Sequence, residues 1–190
     1  MKLITVTCFF LFSINLLWAQ SLNLDWVKTM GSGTGNNDVI NACTTDSAGN
    51  VFAIGTFNGM IDFNPHARDE HIMSNRTYAD DPFISKFSST GQLIWTKQIE
   101  CFGAGSGNDI AIDAKGNIVV IGNYSGKIDL DISDHSKMIQ STGTDIYIAK
   151  YTGQGAFIWG QTLRCTKLAE GAAIDVDGND DILVAGSFQD

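Results

Sequence analysis

The sequence predicts an all-β fold in which a four-stranded antiparallel unit repeats along the chain. Two blocks of sequence recur with the same internal spacing, which is the mark of a repeat architecture. Short runs of β-branched and aromatic residues alternate with turns that contain glycine. Beyond the first 19 residues, no stretch keeps a helical apolar period for long enough to form a helix.

The first 19 residues are predicted to be a secretory signal peptide. Lys2 supplies a positive charge, residues 3–18 are almost wholly apolar, and Ala19 is a small residue at the expected cleavage site. The apolar run is shorter than about 18 residues, the length needed to cross a bilayer, and no basic flank follows it. We therefore expect a protein that is secreted or on the outer cell surface, with no membrane insertion after cleavage.

Composition limits the classes of partner. Residues 20–190 are one domain's worth of chain, and only 17% of the residues are charged, too few for a disordered tail. The formal net charge is −9, and the basic residues form no cluster. Because such a surface repels phosphate backbones and anionic lipids, nucleic acid and membrane surfaces are not expected partners.

The first repeated block runs over residues 46–62 and returns without a gap at residues 113–129. Its aspartates, glycines, asparagine and isoleucines recur in place, and most other differences exchange Val for Ile or Phe for Tyr. A third copy begins near residue 173, where Asp180 and Asp181 look like an insertion after Asn179.

The second block, residues 81–95, returns at residues 145–159 with identical internal spacing. Tryptophans at 26, 95 and 159 mark spacings of 69 and then 64 residues. The predicted units are residues 26–94, 95–158 and a truncated 159–190, about two and a half repeats.

Four strands are expected in each unit. In the second copy, residues 110–113 alternate, residues 114–117 make a turn, and residues 118–121 form an apolar run typical of a strand covered on both faces. A second hairpin is predicted over residues 145–151 and 156–163, with a Thr-Gly-Gln-Gly turn between them.

Repeated four-stranded sheets favour a β-propeller over other repeat architectures, because flat blades must cover both faces of one another. A sandwich would not explain residues that return at fixed spacing, and solenoid repeats are shorter. Propellers have about four to eight blades, so these repeats predict an incomplete propeller. Its expected partners are further blades of the same longer chain or copies of itself.

The repeat motifs resemble the bacterial β-propeller repeats known as SBBP. The motifs are Asp-x-x-Gly-Asn at 113–117, Gly-x-Ile-Asp at 126–129, Asp-x-aromatic-Ile-x-Lys-aromatic at 145–151, and Ile-Trp at 158–159. The resemblance covers residues 26–190. It implies an exported or outer-surface protein of the kind that often carries a type IX secretion sorting domain, with no assigned catalytic residues.

A calcium site is the one metal site that the sequence suggests. Its candidate ligands are Asp175, Asp177, Asn179 and Asp181. Oxygen side chains at alternate positions around a glycine are how calcium loops present their ligands, and the stretch also resembles the FG-GAP loops of another propeller-forming repeat. The equivalent turns of the other copies have few carboxylates, so an acidic hairpin turn is the competing interpretation, and no cofactor is expected otherwise.

Other side chains are assigned structural roles. Asp62 with Asn64, and Asp129 with Asp131, recur once per unit, which favours turn capping over acid–base catalysis. Cys43, Cys101 and Cys165 lack metal-ligand spacing, and we expect them to be small buried apolar side chains.

The sequence therefore predicts a non-enzymatic exported module for binding or scaffolding, with no catalytic residues. Protein or glycan ligands are expected at the variable linkers, residues 64–80 and 131–144, because loops tolerate change where strands do not. Two alternatives stay open: part of a propeller-type glycan hydrolase or lyase, and a calcium-dependent adhesion module.

Overall fold

The computed structural model describes residues 24–31, 38–65, 79–133 and 136–189, together with the backbone of 72–74. All regular structure in these ranges is β-strand, as predicted. Within them no helix occurs that has the length and apolar character to span a membrane. The predicted signal peptide, residues 1–19, lies outside the described residues.

The first blade is a four-stranded sheet with the order β1-β2-β5-β6. Its strands are β1 (Val39–Thr45), β2 (Val51–Phe57), β5 (Asp81–Phe87) and β6 (Leu93–Gln98), and a short pair, β3 (Met60–Asp62) and β4 (Ile72–Ser74), lies between β2 and β5 in the chain. Each strand runs antiparallel to its neighbours.

The second blade repeats this order with β8-β9-β10-β11. Its strands are β7 (Glu100–Cys101), β8 (Gly105–Ile112), β9 (Ile118–Asp129), β10 (Met138–Tyr151) and β11 (Phe157–Leu163). The end of β9 pairs with the start of β10, as β3 pairs with β4 in the first blade.

The third unit contains the first two strands of a blade, β12 (Leu168–Val176) and β13 (Ile182–Gln189), paired antiparallel. β12 is joined to the second blade by one parallel bridge, between Thr144 and Leu168. The described residues thus form two four-stranded blades and half of a third, and the predicted incomplete propeller is confirmed.

Trp95 lies on β6, in the sheet that begins at Val39. The unit boundary drawn at residues 94 and 95 therefore falls inside a blade, because the sequence period can be cut at any point of the repeat. In the fold, one sheet gives way to the next between residues 98 and 105 and between 163 and 168.

The expected insertion at Asp180 and Asp181 is wrong. The turn after Asp177 has the same length as its counterparts. The Asp177 N–H donates to the carbonyl of Asp181, four residues later, just as the Asp113 N–H donates to the carbonyl of Asn117. Asp180 has a φ of 67°, the left-handed conformation that Gly116 holds at 80°. An aspartate has replaced the turn glycine, and the sequence comparison misread this as added residues.

Each blade uses two kinds of hairpin turn. The first is capped by an aspartate, for example Asp113 Oδ1, which accepts the N–H groups of Lys115 and Asn117 at 2.9 and 2.8 Å. The second is capped by a hydroxyl, since Thr152 Oγ1 accepts the N–H of Ala156 at 3.1 Å and Ser88 does the same for Gln92 at 3.1 Å. Side chains that bond their own backbone in this way specify turns locally.

The apolar run of β9 is covered on both faces, as predicted. Ile118 and Val120 pack in the cluster shared with the first blade, whereas Val119 and Ile121 pack in the cluster shared with the third unit. All four side chains are fully buried. Hydrophobic burial on both sides of one sheet is therefore what joins successive units.

Two of the tryptophans pack between units. Trp95 packs against the cluster that the first and second blades share, and Trp159 packs against the cluster that joins the second blade to the third unit. The expectation for the cysteines is confirmed for Cys101 and Cys165, which are buried, and wrong for Cys43, which is exposed. Cys43 lies on β1, the edge strand of the first sheet.

Candidate interaction surfaces

The two seams between units carry the same pair of hydrogen bonds. At the first seam, Asn41 Nδ2 donates to the Gly107 carbonyl at 2.7 Å and the Gly107 N–H donates to Thr56 Oγ1 at 3.3 Å. At the second, Asn108 Nδ2 donates to the Gly171 carbonyl at 2.6 Å and the Gly171 N–H donates to Asn123 Oδ1 at 3.3 Å. These bonds fix how one blade is seated on the next.

A β-bulge directs these asparagines toward the neighbouring unit. The pairing of the first strand slips by one residue at Asn41, at Asn108 and, in the third unit, at Ala172. A bulge re-aims the side chain of the extra residue. The third unit keeps the bulge but carries alanine there, which cannot donate such a bond. Sequence reasoning missed these asparagines, although both recur at one position of the repeat.

A lysine of the third strand pairs with the turn aspartate of its own blade. Lys150 Nζ lies 2.7 Å from Asp113 Oδ2. Burial alone raises the pKa of Asp113, but hydrogen bonds from Lys150 and from Asn117 outweigh it and lower the pKa to about 2. In the first blade, Lys86 Nζ lies 3.8 Å from Asp46 Oδ2 and also donates to the Gly153 carbonyl of the next blade at 3.0 Å.

Two buried aspartates anchor the connection between successive sheets. Asp81 accepts the Cys101 N–H at 3.1 Å and the Gln98 amide at 2.6 Å, and its burial raises its pKa to about 7. Asp145 accepts the Cys165 N–H at 3.0 Å, but its Oδ2 has no hydrogen-bond partner among the described residues. Both side chains are buried, and neither lines the groove or the cavity described below.

The calcium candidates lie in the third aspartate-capped turn. Asp177 Oδ1 accepts the N–H groups of Asn179 and Asp181 at 2.8 and 2.9 Å, which lowers the pKa of Asp177. Asp175 Oδ1 accepts the Val176 N–H at 2.8 Å. Among the described residues, no three His, Cys, Asp or Glu side chains are placed to share a metal ion. The geometry gives Asp177 the capping role of Asp113, and calcium binding stays a prediction.

The predicted turn role of the recurring carboxylates is confirmed. Asp129 Oδ1 accepts the N–H groups of Asp131 and Lys137 at 3.1 and 2.7 Å. Asp62 Oδ1 accepts the Asn64 N–H at 2.8 Å. Both aspartates therefore stabilise the connection that follows the second strand of a blade.

The two ends of each blade differ. At one end lie the short capped turns, which have the same form in each unit. At the other lie the longer connections between the second and third strands and those between sheets. Ligand-binding residues concentrate in variable connections on a rigid scaffold, so the second end is the better candidate.

A groove opens at this second end, at the seam between the two blades. Its cavity volume is about 180 Å³. The lining includes Asp80, Ser106, Asn123, Tyr124, Ser125 and Thr144. Asp80 and Thr144 each end one of the two variable segments that the sequence singled out, and the fold brings both to this groove.

The third unit leaves apolar side chains exposed on both faces of β13. Leu183, Val184 and Phe188 are 55%, 40% and 73% exposed, whereas Val119, Val120 and Tyr124 at the equivalent positions of β9 are 0%, 0% and 1% exposed. A cavity of about 270 Å³ lies beside Phe188, lined also by Ile146, Leu163 and Cys165 of the second blade. Because successive strand residues point to opposite faces, Leu183 lies on one face of β13 and Val184 and Phe188 lie on the other. Large exposed apolar side chains that are buried in the equivalent strand indicate a surface that a partner can cover.

No protein-family model matches the sequence. The chain is similar to an uncharacterized WD repeat-containing protein of Acanthamoeba polyphaga mimivirus, at 21% identity over 188 aligned residues. The match covers 86% of this chain and 13% of the relative's length. WD repeats form four-stranded propeller blades, so the likeness agrees with the observed propeller-like architecture.

Proposed function

We propose that this chain is a non-catalytic, exported β-propeller module that binds or scaffolds a protein or glycan outside the cell. The observation that carries the proposal is the groove at the seam between the two blades. It joins the ends of the two variable segments at Asp80 and Thr144, on a sheet scaffold held by repeated hydrogen bonds. The groove combines apolar surface with a few hydroxyl and carboxylate groups, the mixture typical of ligand sites.

The distribution of ionisable groups supports a non-catalytic role. Asp46, Asp113 and Asp177 cap turns, and Asp81 and Asp145 accept backbone N–H groups between sheets. A catalytic pair needs two carboxylates with split pKa values facing one substrate. These aspartates recur along the chain in structural roles, which favours scaffolding over a glycan hydrolase or lyase.

Export is proposed from the sequence of the first 19 residues and from the SBBP resemblance. The test is to express the full chain in a Gram-negative bacterium, separate cytoplasm, envelope and medium, and sequence the mature N-terminus. Cleavage after Ala19 and release from the cytoplasm are expected. An uncleaved chain that stays in the cytoplasm would overturn the compartment without affecting the fold.

Binding is tested with a panel of glycans and secreted proteins, read for both affinity and turnover. Thr144→Trp should fill the groove and weaken binding at least about tenfold. Thr90→Trp, in a capped turn at the opposite end of a blade, is the matched control and should leave affinity unchanged. Turnover of any glycan would overturn the non-catalytic proposal, and equal effects of the two variants would move the site away from the groove.

One measurement distinguishes calcium-dependent adhesion from the proposed function. If Asp177 serves only its turn, the melting temperature is expected to be the same in EDTA and in millimolar calcium. A calcium-dependent rise that is lost in Asp181→Asn would instead assign the ion to this turn, because ligands that bind only the folded state raise stability.

A further inference from the structure

β13 is the edge strand of its sheet, and its apolar side chains are uncovered. In the described part of the chain, the sheet order ends β12-β13, with no strand on the far side of β13. An edge strand presents a row of unpaired N–H and C=O groups that can accept another strand. What would cover this edge can be deduced from the two blades that are complete.

The second and third strands of both blades pair in one register. Gly55 faces Phe83 in the first blade, and Gly122 faces Tyr147 in the second. An added Cβ at either glycine would collide first with a carbonyl oxygen of the first strand, that of Val39 or of Ser106, and next with the aromatic residue, 2.9 Å from the Phe83 ring and 2.6 Å from the Tyr147 oxygen. The glycine therefore makes room for both the first strand's carbonyl and an aromatic residue of the third strand.

The same register places a lysine of the third strand next to the turn aspartate. Lys86 faces Phe52, and Lys150 faces Val119. Each lysine lies within ion-pair distance of the aspartate that caps the first turn of its blade, Asp46 or Asp113. The third strand thus brings one aromatic ring and one cation to fixed places.

The third unit keeps the receiving half of this arrangement. Gly186 occupies the position of Gly122, Leu183 that of Val119, and Asp177 that of Asp113, as the matching bulges and turns establish. No lysine among the described residues pairs with Asp177. The exposed side chains of Leu183, Val184 and Phe188 lie where burial is complete in the other blades.

We propose that β13 docks an antiparallel strand with an aromatic residue opposite Gly186, an isoleucine opposite Ala185 and a lysine opposite Leu183 that pairs with Asp177. Both strands of this pattern in the present chain, β5 and β10, are paired on both sides. The docking strand therefore belongs to a further unit of the repeat. This deepens the proposed scaffolding function by naming the partner's chemistry.

The test adds the strand in trans to the full 190-residue chain. A labelled peptide with the sequence of residues 144–152 carries the required pattern, and its binding is followed by fluorescence anisotropy. Hydrogen exchange of the β13 amides gives a second readout, because pairing protects those that point outward. We expect saturable binding with protection of β13.

Asp177→Asn isolates the ion pair, because asparagine keeps the carbonyl that caps the turn and loses only the charge. It should weaken binding about tenfold or more, as should replacing the peptide lysine by glutamine. Combining the two should weaken binding no further, since both remove the same contact. Asp175→Asn, two residues away, is the matched control and should bind normally.

Several results would overturn the proposal: no binding by a chain that circular dichroism shows to be folded, equal losses in Asp175→Asn and Asp177→Asn, or additive losses for the chain and peptide changes. A dimer whose β13 amides are already protected would assign the edge to a second copy and would equally overturn it. None of these results depends on the groove, so failure here and failure of the proposed ligand binding can be told apart.

Discussion

The second blade and the third unit share their local structure and differ in their burial. Both have a bulge in the first strand, an aspartate-capped turn of the same length and an antiparallel hairpin in the same register. Yet Tyr124 is 1% exposed and Phe188, at the same position, is 73% exposed. Local sequence therefore specifies the hairpin, whereas neighbouring strands and blades supply the burial that stabilises a complete unit.

Comparing the two units also distinguishes two contributions of the turn aspartate, the turn cap and the ion pair. Asp113 caps its turn and pairs with a buried lysine, whereas Asp177 caps its turn without a lysine partner among the described residues. The cap needs only the turn's own backbone, but the ion pair needs a third strand. Half a blade can therefore keep the receiving group of a contact while lacking its partner.

The largest effect is expected from a charge placed in the shared core. Val120→Asp would bury a carboxylate without a partner and should cost more than about 4 kcal/mol, enough to abolish cooperative unfolding. Val184→Asp, at the equivalent but 40% exposed position, should change the free energy of unfolding by about 1 kcal/mol or less. Urea denaturation followed by circular dichroism measures both. Similar losses would show that the face of the third unit is covered.

The next effect concerns the buried ion pair. Lys150→Met removes the cation from the fully buried carboxylate of Asp113. It should lower the free energy of unfolding by about 3–5 kcal/mol. Lys115→Met breaks an ion pair with Asp180 in which the lysine is 76% exposed, and should cost less than about 1 kcal/mol. Chemical denaturation of the two variants compares them, and a larger loss for Lys115→Met would contradict this assignment.

Acid should destabilise the second blade through Asp113. Its pKa is about 2 in the folded chain against 3.8 as the reference, so its stabilising contribution is complete above about pH 4 and is lost as the pH falls toward 2. The free energy of unfolding should therefore fall by about 2 kcal/mol over this pH range. Urea denaturation from pH 5 to pH 2 should show it in the native sequence and not in Asp113→Asn.

That titration is cleanest in an Asp81→Asn background. Burial raises the pKa of Asp81 to about 7, so the folded chain holds a proton there that the unfolded chain has released. Stability from this group therefore falls as the pH rises from about 4 to about 7. If Asp81→Asn does not remove that fall in stability, the carboxyl of Asp81 is not the group responsible.

The smallest effect is expected at the seam. Asn108→Ala removes the donor to the Gly171 carbonyl and should cost about 1 kcal/mol, seen as faster hydrogen exchange in β12. Ala172→Asn restores the amide at the same bulge of the third unit, where the described residues include no acceptor from a further blade, and should leave exchange in this chain unchanged. Equal effects of both changes would mean that a neighbour already contacts Ala172.

Much of the fold could be predicted because its signals are local. The run at residues 118–121, the turn at residues 114–117 and the hairpin around residues 152–155 depend on adjacent residues and appear where they were expected. The turn at Asp180 was misread because glycine was taken as the marker of the left-handed position, and an aspartate can also adopt it. Cys43 was misjudged because exposure of an edge strand cannot be read from its sequence.

The groove shows the limit of sequence reasoning at the candidate site. The segments 64–80 and 131–144 were singled out as variable, but Asp80 and Thr144 are 64 residues apart in the chain. Their meeting at one seam follows from how one blade is seated on the next, through the bonds of Asn41 and Thr56 to Gly107. Only the tertiary structure holds that information.

The sequence by itself determined the repeated unit, its strands and its capped turns, because each depends on residues within a few positions of one another. The tertiary structure alone decided which faces are buried, where the groove lies and which edge is left open. Those properties depend on contacts between residues some 60 positions apart, and burial is a property of the neighbour that covers a strand rather than of the strand itself.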